Sequence, residues 1–247
     1  MPTVRLYSVT LRHRRSRLRL WLAFASLLSL QLFPAAGSAA QDLHGMVCSA
    51  AVQLMLGESA DLRAPRVNEL RAVLPQLNSQ LQSAMQRLTD NMDSLSNALR
   101  TGQPLSQQQH EAFNNALLDT LTLLRPSPST PGAPLADLPE RLDFALLLYV
   151  SWSQIGSLRP AREQPDSYLG WDVYELAASI EQDLLRDDWL PGDSPEQLQL
   201  LRDAQTRWHY IAKLLHRATA DPAPLSVSKQ IGLIRKGVLQ LRRQPVL

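Results

Sequence analysis

A heptad repeat of leucine and other apolar residues constrains the fold of this chain more than any other feature. It runs from Pro65 to Arg100 and is interrupted only by Asn91. The repeating positions hold Val67, Leu70, Leu74, Leu77, Leu81, Ala84, Leu88, Leu95 and Ala98, and Met85, Met92 and Leu99 widen the stripe. Such a repeat is typical of a long helix packed at a shallow angle in a bundle or coiled coil. Pro75 is expected to kink this helix or to mark its true beginning.

Helices are also predicted along the rest of the chain. Capping residues stand three positions before Gln or Glu at three predicted helix starts, which are Ser106 with Gln109, Asp137 with Glu140, and Ser194 with Gln197. Apolar periodicity predicts two more helices, over about 170–188 and over 226–243. No run alternates β-branched and polar residues between turn signals, so sheet is not expected. We therefore predict an all-α fold, an antiparallel helical bundle with long helices, preceded by a signal peptide.

The first 40 residues have the composition of an export signal. Six arginines and no acidic residue precede a mostly apolar run from Trp21 to Phe33, and small residues follow up to Ala40. This order predicts a secretory signal peptide over residues 1–40, cleaved after Ala40, and a periplasmic or secreted protein. Two alternatives stay open, a twin-arginine signal through Arg14 and Arg15 and a retained membrane anchor. After cleavage, no permanent membrane span is predicted.

Removing this segment changes the charge of the protein and the classes of partner it can attract. The formal net charge falls from +2 for the whole chain to −4 for residues 41–247, because the lost segment holds arginines and no acid. A chain without a basic field is not expected to bind nucleic acid. Cys48 is the single cysteine, so no internal disulfide can form, and we expect a buried, unlipidated thiol.

A proline-rich segment divides the remaining chain. Residues 126–136 contain four prolines and little to bury, so they are expected to connect two helical lobes. The N-terminal lobe is assigned to residues 41–125 and the C-terminal lobe to residues 137–247. We expect the two lobes to form one bundle domain together.

The irregular segment between Trp152 and Trp171 is the candidate binding site. It gathers aromatic side chains and two arginines around prolines and glycines. Arg159 and Arg162 could hold a carboxylate or phosphate, while Trp152, Tyr168 and Trp171 could supply flat apolar contact. The expected ligand is a small anion or a partner protein. Alternatively the aromatic side chains cap the end of the bundle, and the arginines pair with Glu163, Asp166 or Asp172.

The second half of the chain resembles a known family. Its irregular segment is followed by Ala178-Ser179-Ile180-Glu181-Gln182-Asp183-Leu184 and by a predicted helix with Arg207-Trp208-His209-Tyr210-Ile211. This order resembles the periplasmic helical sensor module of type IV pilus methyl-accepting chemotaxis transducers and nitrate-sensing kinases. Where that module has Gly-x-x-Arg-Met, this chain reads Gly45-Met46-Val47-Cys48. The resemblance implies an exported, free-standing relative of a sensory bundle, and it transfers no binding residue.

The sequence carries no catalytic motif, nucleotide-binding loop or covalent haem motif, so no enzyme activity, catalytic residue, metal or cofactor is predicted. The first hypothesis is a ligand- or partner-binding accessory module of sensory type. The alternative is a structural, coiled-coil-like envelope protein that forms a homodimer through the Val67–Leu99 stripe. The third is a catalytic or haem-binding bundle that uses His209 and His216, which lie two helical turns apart.

Overall fold

The computed structural model describes residues 36–57, 60–125, 137–154, 164, 166–186, 194–215 and 222–243, and all regular secondary structure in them is helical. The helices are α1 (Ala36–Met55), α2 (Ala60–Val73), α3 (Ser79–Thr101), α4 (Gln107–Leu124), α5 (Leu138–Gln154), α6 (Val173–Leu185), α7 (Pro195–Leu215) and α8 (Pro224–Arg243), with 3-10 turns at Leu74–Gln76 and Tyr168–Gly170. The predicted all-α class is confirmed.

Two predicted segments fall on residues that lie outside the described part. These are most of the signal peptide, residues 1–35, and the proline-rich segment, residues 126–136. Helix α1 begins at Ala36, before the predicted cleavage position at Ala40. The chain divides into two units, Met1–Ala39 and Ala40–Leu247, and the description below concerns the second.

The heptad stripe is divided between two helices instead of one. Pro75 lies in the 3-10 turn that follows α2, as expected for a residue that breaks a helix. Helix α3 then starts afresh, because the Asn78 side chain accepts a hydrogen bond of 2.9 Å from the Leu81 backbone N–H. It ends at Gly102, whose φ of 66° is a left-handed conformation that favours glycine. The stripe therefore forms two helices instead of one long helix, and the break falls at Pro75, where a kink or a helix start was predicted.

The other predicted helix starts are confirmed, although their caps differ. Ser106 and Gln109 form the expected capping box at α4. Helix α5 follows Asp137, but the Asp137 carboxylate accepts a hydrogen bond from Arg141 Nε at 3.0 Å, and no reciprocal bond from Glu140 completes a box. Helix α6 starts with a box that the sequence analysis overlooked, between Asp172 and Glu175.

The helices share one hydrophobic core. Helix α3 packs against α2 and α4, whereas α5, α6, α7 and α8 form a ring in which α5 and α7 each contact both α6 and α8. Buried residues from both sides of the proline-rich segment belong to a single cluster. Most of the heptad stripe is buried in this cluster by helices of the same chain, including Leu70, Leu74, Met85, Leu88, Met92 and Leu95.

Helix α1 is an element that the sequence analysis did not predict. Its buried face has a helical spacing and is built from small or medium side chains, among them Leu43, Val47, Ala50, Ala51 and Leu54. The same face also buries His44. Among the described residues, no helix combines the length and apolar character needed to cross a membrane.

Candidate functional site: an aromatic segment and a buried polar cluster

The candidate segment of residues 152–171 is described at both ends. Arg159 and Arg162 lie outside the described residues. Trp152 is half-buried in the last turn of α5, and its ring meets the Tyr174 ring edge to face at 6.4 Å. Tyr174 is 47% exposed. Trp171 is also half-buried and directly follows the second 3-10 turn. Trp152 and Trp171 therefore combine contact with the core and partial exposure.

Tyr168 belongs to the protein interior. It is 3% exposed and begins the second 3-10 turn, where the Ser167 side chain accepts a hydrogen bond from the Leu169 backbone N–H. Its ring meets Phe144 edge to face at 5.7 Å, and its hydroxyl lies 3.1 Å from His44 Nε2. The hydroxyl of this predicted site residue is thus engaged within the protein.

His44 is the centre of a buried cluster that the sequence analysis did not identify. Its Nδ1 lies 3.8 Å from Cys48 Sγ and 3.8 Å from Asp143 Oδ2. Arg235 Nε in turn donates a hydrogen bond of 2.8 Å to the same Asp143 oxygen. We use the name buried cluster for six residues contributed by α1, α5, α8 and the second 3-10 turn: His44, Cys48, Glu140, Asp143, Tyr168 and Arg235.

Gly45 makes room for the ion pair in this cluster. A Cβ atom at position 45 would lie 3.3 Å from Asp143 Oδ2 and 3.0 Å from Arg235 Cζ, and still closer to the guanidinium nitrogen Nη2. The guanidinium therefore occupies space beside the α1 backbone that any other side chain would need. This close approach brings α1, α5 and α8 together at one point.

Glu140 is the exception in the cluster, because its charge has no direct partner. It is 1% exposed, and neither Oε atom has a hydrogen-bond partner. Burial raises the pKa of this carboxyl, and the negative charge of Asp143 acts in the same direction. Its own backbone amide, His44 and Arg242 oppose the rise in pKa without cancelling it. This environment therefore favours the protonated, neutral carboxyl more strongly than water does.

Burial also keeps the thiol and the phenol of the cluster protonated. Burial raises the pKa of Cys48 well above its ordinary value; Asp143 and Glu140 add to the rise, while Arg235 opposes it. Burial raises the pKa of Tyr168 as well, with smaller contributions from Cys48 and the nearby carboxylates. A thiol is a weak nucleophile in this form, since the thiolate is the reactive species.

The geometry of the cluster differs from that of a cysteine or serine protease triad. In such a triad one imidazole nitrogen faces the nucleophile and the other faces the carboxylate. Here Cys48 and Asp143 both face Nδ1 of His44, and Nε2 faces the Tyr168 hydroxyl. His44 therefore has no carboxylate on the nitrogen opposite Cys48 to orient it toward the thiol, as the carboxylate of a triad does. Within the described ranges, no group of three or more His, Cys, Asp or Glu residues could hold a metal ion.

A second buried charge fixes α5 to α6. The Arg141 side chain is 6% exposed and pairs with Asp137 and Asp183. It also donates a hydrogen bond of 2.6 Å to the Ser179 hydroxyl. Because these contacts engage the guanidinium of Arg141, we assign it a positioning role. It fixes the orientation of α5, the helix that carries Glu140 and Asp143.

The sequence contained signals for the missed residues. His44 and Cys48 are four positions apart, and Glu140 and Asp143 are three apart, so each pair lies on one helix face. Glu140, Arg141 and Asp143 directly precede a nearly continuous apolar run in α5, where charges need partners. Of the histidines considered for haem, His209 is exposed on α7 and His216 lies outside the described residues.

Comparison with protein-family models, with curated proteins and with solved structures gave no significant match. The function must therefore be argued from the residues of this chain.

Proposed function

We propose that this protein is an exported helical bundle that acts as a binding module of sensory or accessory type. Its binding surface is the segment from Trp152 to Trp171, where Arg159 and Arg162 hold a carboxylate or phosphate group of a small ligand or of a partner protein. The observation that carries the proposal is the half-buried Trp152 in contact with the exposed ring of Tyr174, at one end of this arginine-containing segment. Aromatic side chains that are neither fully buried nor isolated are common in binding surfaces.

We also propose that the helices are arranged antiparallel. Residue pairs across neighbouring helices support this arrangement, because the number rises in one helix as it falls in the other. Between α3 and α4, Arg87 contacts Asp119 and Ser94 contacts Gln109. Between α7 and α8, Arg207 contacts Gln230, and the Leu200 carbonyl approaches the Cβ position of Gly237. Short connections between such helices are typical of up-and-down bundles.

The sensory assignment rests on sequence. The signal-like first 40 residues support export from the cytoplasm, and the second half resembles the periplasmic sensor module described above. A binding role also fits the buried cluster better than catalysis does, because its thiol is kept protonated and Nε2 of its histidine faces the Tyr168 hydroxyl instead of a carboxylate. In this proposal the cluster holds α1, α5 and α8 together, and Tyr168 of the binding segment belongs to it.

Isothermal titration calorimetry with two probes, inorganic phosphate and succinate, tests the proposal. The double variant Arg159→Ala/Arg162→Ala should weaken binding of the recognised probe by about tenfold or more, because two charge-assisted contacts are lost. The matched control Arg87→Ala/Arg100→Ala removes the same charge from the exposed face of α3 and should bind as the original protein does.

Unchanged thermal stability of the Arg159/Arg162 variant is part of the expected result. A large fall in its melting temperature would make these arginines structural and contradict the proposal. If the original protein binds neither probe, phosphate and succinate are both excluded as ligands. If binding weakens equally in the control variant, the loss of affinity results from the change in net charge and not from Arg159 and Arg162.

A further inference from the structure

Two carboxyl groups lie one helical turn apart on the same face of α5 and differ in their surroundings. Asp143 accepts the hydrogen bond of Arg235, whereas both oxygens of Glu140 are buried without a hydrogen-bond partner. Phe144, on the same face, contacts Tyr168, so this face of α5 is turned toward the buried cluster. Glu140 is therefore an unpaired acid enclosed among groups that are otherwise hydrogen-bonded or paired.

The charged and titratable groups around Glu140 come from every element of the cluster. Helix α1 contributes His44 and Cys48, the 3-10 turn contributes Tyr168, α8 contributes Arg242, and α5 itself contributes Asp143. Arg235 on α8 acts on Cys48, and Asp137, which precedes α5, acts on Tyr168. His44 and Arg242 stabilise an ionised Glu140 through space. Arg235 is already bonded to Asp143, and no cation lies at hydrogen-bond distance from Glu140. A negative charge at Glu140 is thus incompletely compensated while the cluster is closed.

Of the helices around Glu140, α1 is best placed to move away and let water reach an ionised Glu140. The Arg141 network fixes α5 to α6, and the Tyr149 hydroxyl accepts a 2.8 Å hydrogen bond from the Ala223 backbone N–H at the start of α8. Among the side chains of α1 that the structure describes, residues 43–55, the polar contacts with other elements are made by His44. Departure of α1 would admit water to Glu140 and leave the other helices bonded to each other.

We propose that Glu140 is a proton-controlled latch for α1: protonated Glu140 keeps α1 packed on α5 and α8, and loss of that proton releases α1 while the other helices stay folded. The latch is independent of the ligand-binding role proposed above. One proton is taken up on closing and lost on opening, the contacts of His44 with Tyr168 and Asp143 form and break with it, and no other covalent bond changes. The open fraction should rise by up to about tenfold per pH unit between the pH at which Glu140 ionises in the open state and the higher pH at which it ionises in the closed state, as expected for one linked proton.

Hydrogen exchange of the full-length protein, measured by mass spectrometry between about pH 5 and pH 9, tests the latch. Protection factors correct for the intrinsic effect of pH on exchange. Peptides from residues 43–55 should lose protection as the pH rises, while peptides from α3 and α4 keep theirs. Glu140→Gln, which is similar in shape and cannot ionise, should abolish this loss. Glu181→Gln, a change of the same type at an exposed position on α6, should behave as the original protein does.

Cys48 provides a second readout that needs no variant. It is the single cysteine of the chain and is buried on α1, so a thiol reagent reaches it only when α1 opens. The labelling rate in native protein, divided by the rate in denaturant at the same pH, gives the open fraction directly. This ratio should rise with pH and should stay flat in Glu140→Gln.

Three results would overturn the latch. The first is protection of α1 and a Cys48 labelling ratio that do not change with pH. The second is a loss of protection that persists in Glu140→Gln. The third is a loss shared equally by α3 and α4, which would mean unfolding of the whole bundle. If Glu140→Gln does not fold, the labelling ratio of the original protein still decides, since a flat ratio excludes proton control.

Discussion

The Tyr168 hydroxyl lies 3.1 Å from His44 Nε2, although 124 positions separate the two residues in the chain. Their rings meet edge to face at 6.2 Å. Because burial raises the pKa of Tyr168, the phenol keeps its proton. The His44 tautomer sets which of the two groups donates the hydrogen bond. The contact joins the first described helix to the end of the candidate binding segment.

Replacement of Tyr168 by phenylalanine should destabilise the protein by about 1–3 kcal/mol. The change removes the hydroxyl and leaves a fully buried imidazole nitrogen without its partner, and an unsatisfied buried polar group costs its desolvation energy. Urea unfolding gives the free-energy difference. Tyr210→Phe is the matched control, because Tyr210 is 55% exposed and its replacement should change stability by less than about 0.5 kcal/mol. Similar losses in both variants would argue against the role of the contact.

Replacement of Gly45 by alanine should cost about 1–3 kcal/mol, despite the better helix propensity of alanine. The new methyl group would displace the Arg235 guanidinium, which can swing away only by giving up its bond to buried Asp143. Gly232→Ala on α8 is the control, because a Cβ there meets nothing within 4 Å. That variant should be more stable by up to about 1 kcal/mol. Thermal unfolding of both variants measures whether stability falls in Gly45→Ala and rises in Gly232→Ala. A more stable Gly45→Ala variant would contradict the close approach of Arg235 to position 45.

The stability of the protein should decrease as the pH rises through the raised pKa of Glu140. The folded state holds the Glu140 proton more tightly than the unfolded state, so the contribution of this group is complete below the unfolded pKa and is lost above the folded pKa. One such group changes the unfolding free energy by at most about 1.4 kcal/mol per pH unit. Urea unfolding of the original protein and of Glu140→Gln at several pH values isolates this effect as the difference between two curves. If the unfolding free energies of the two proteins change with pH in the same way, a contribution of Glu140 is excluded.

Removal of the Arg141 side chain should be far more costly than removal of an exposed arginine. Arg141→Ala leaves Asp183 and Ser179 without a partner at the interface of α5 and α6, and we expect a loss of about 2–3 kcal/mol. Arg87→Ala breaks an ion pair with Asp119 in which both side chains are more than half exposed, so its cost should stay below about 1 kcal/mol. Chemical denaturation measures the loss of unfolding free energy in Arg141→Ala and in Arg87→Ala. Equal losses would show that burial does not strengthen the contacts of Arg141.

The helices of this protein could be predicted where the signal is local. The capping box of Ser106, the break at Pro75 and the apolar periodicity of α6, α7 and α8 are all properties of neighbouring residues. Helix α1 was missed, because its apolar face consists of small side chains and overlaps a segment that resembles an export signal. Of the candidate segment, the sequence indicated which residues have binding chemistry, and it could not tell that Tyr168 is buried while Trp152 keeps partial exposure.

The sequence by itself therefore determined the all-α class, since helix periodicity and capping depend on residues within one or two turns of each other. Only the tertiary structure decided that His44, Cys48, Glu140, Asp143, Tyr168 and Arg235 share one buried cluster. It also decided that Asp143 is paired and Glu140 is not. The physical reason is that the burial and pairing of a charge depend on side chains from distant segments, and the pattern along a single helix does not contain that information.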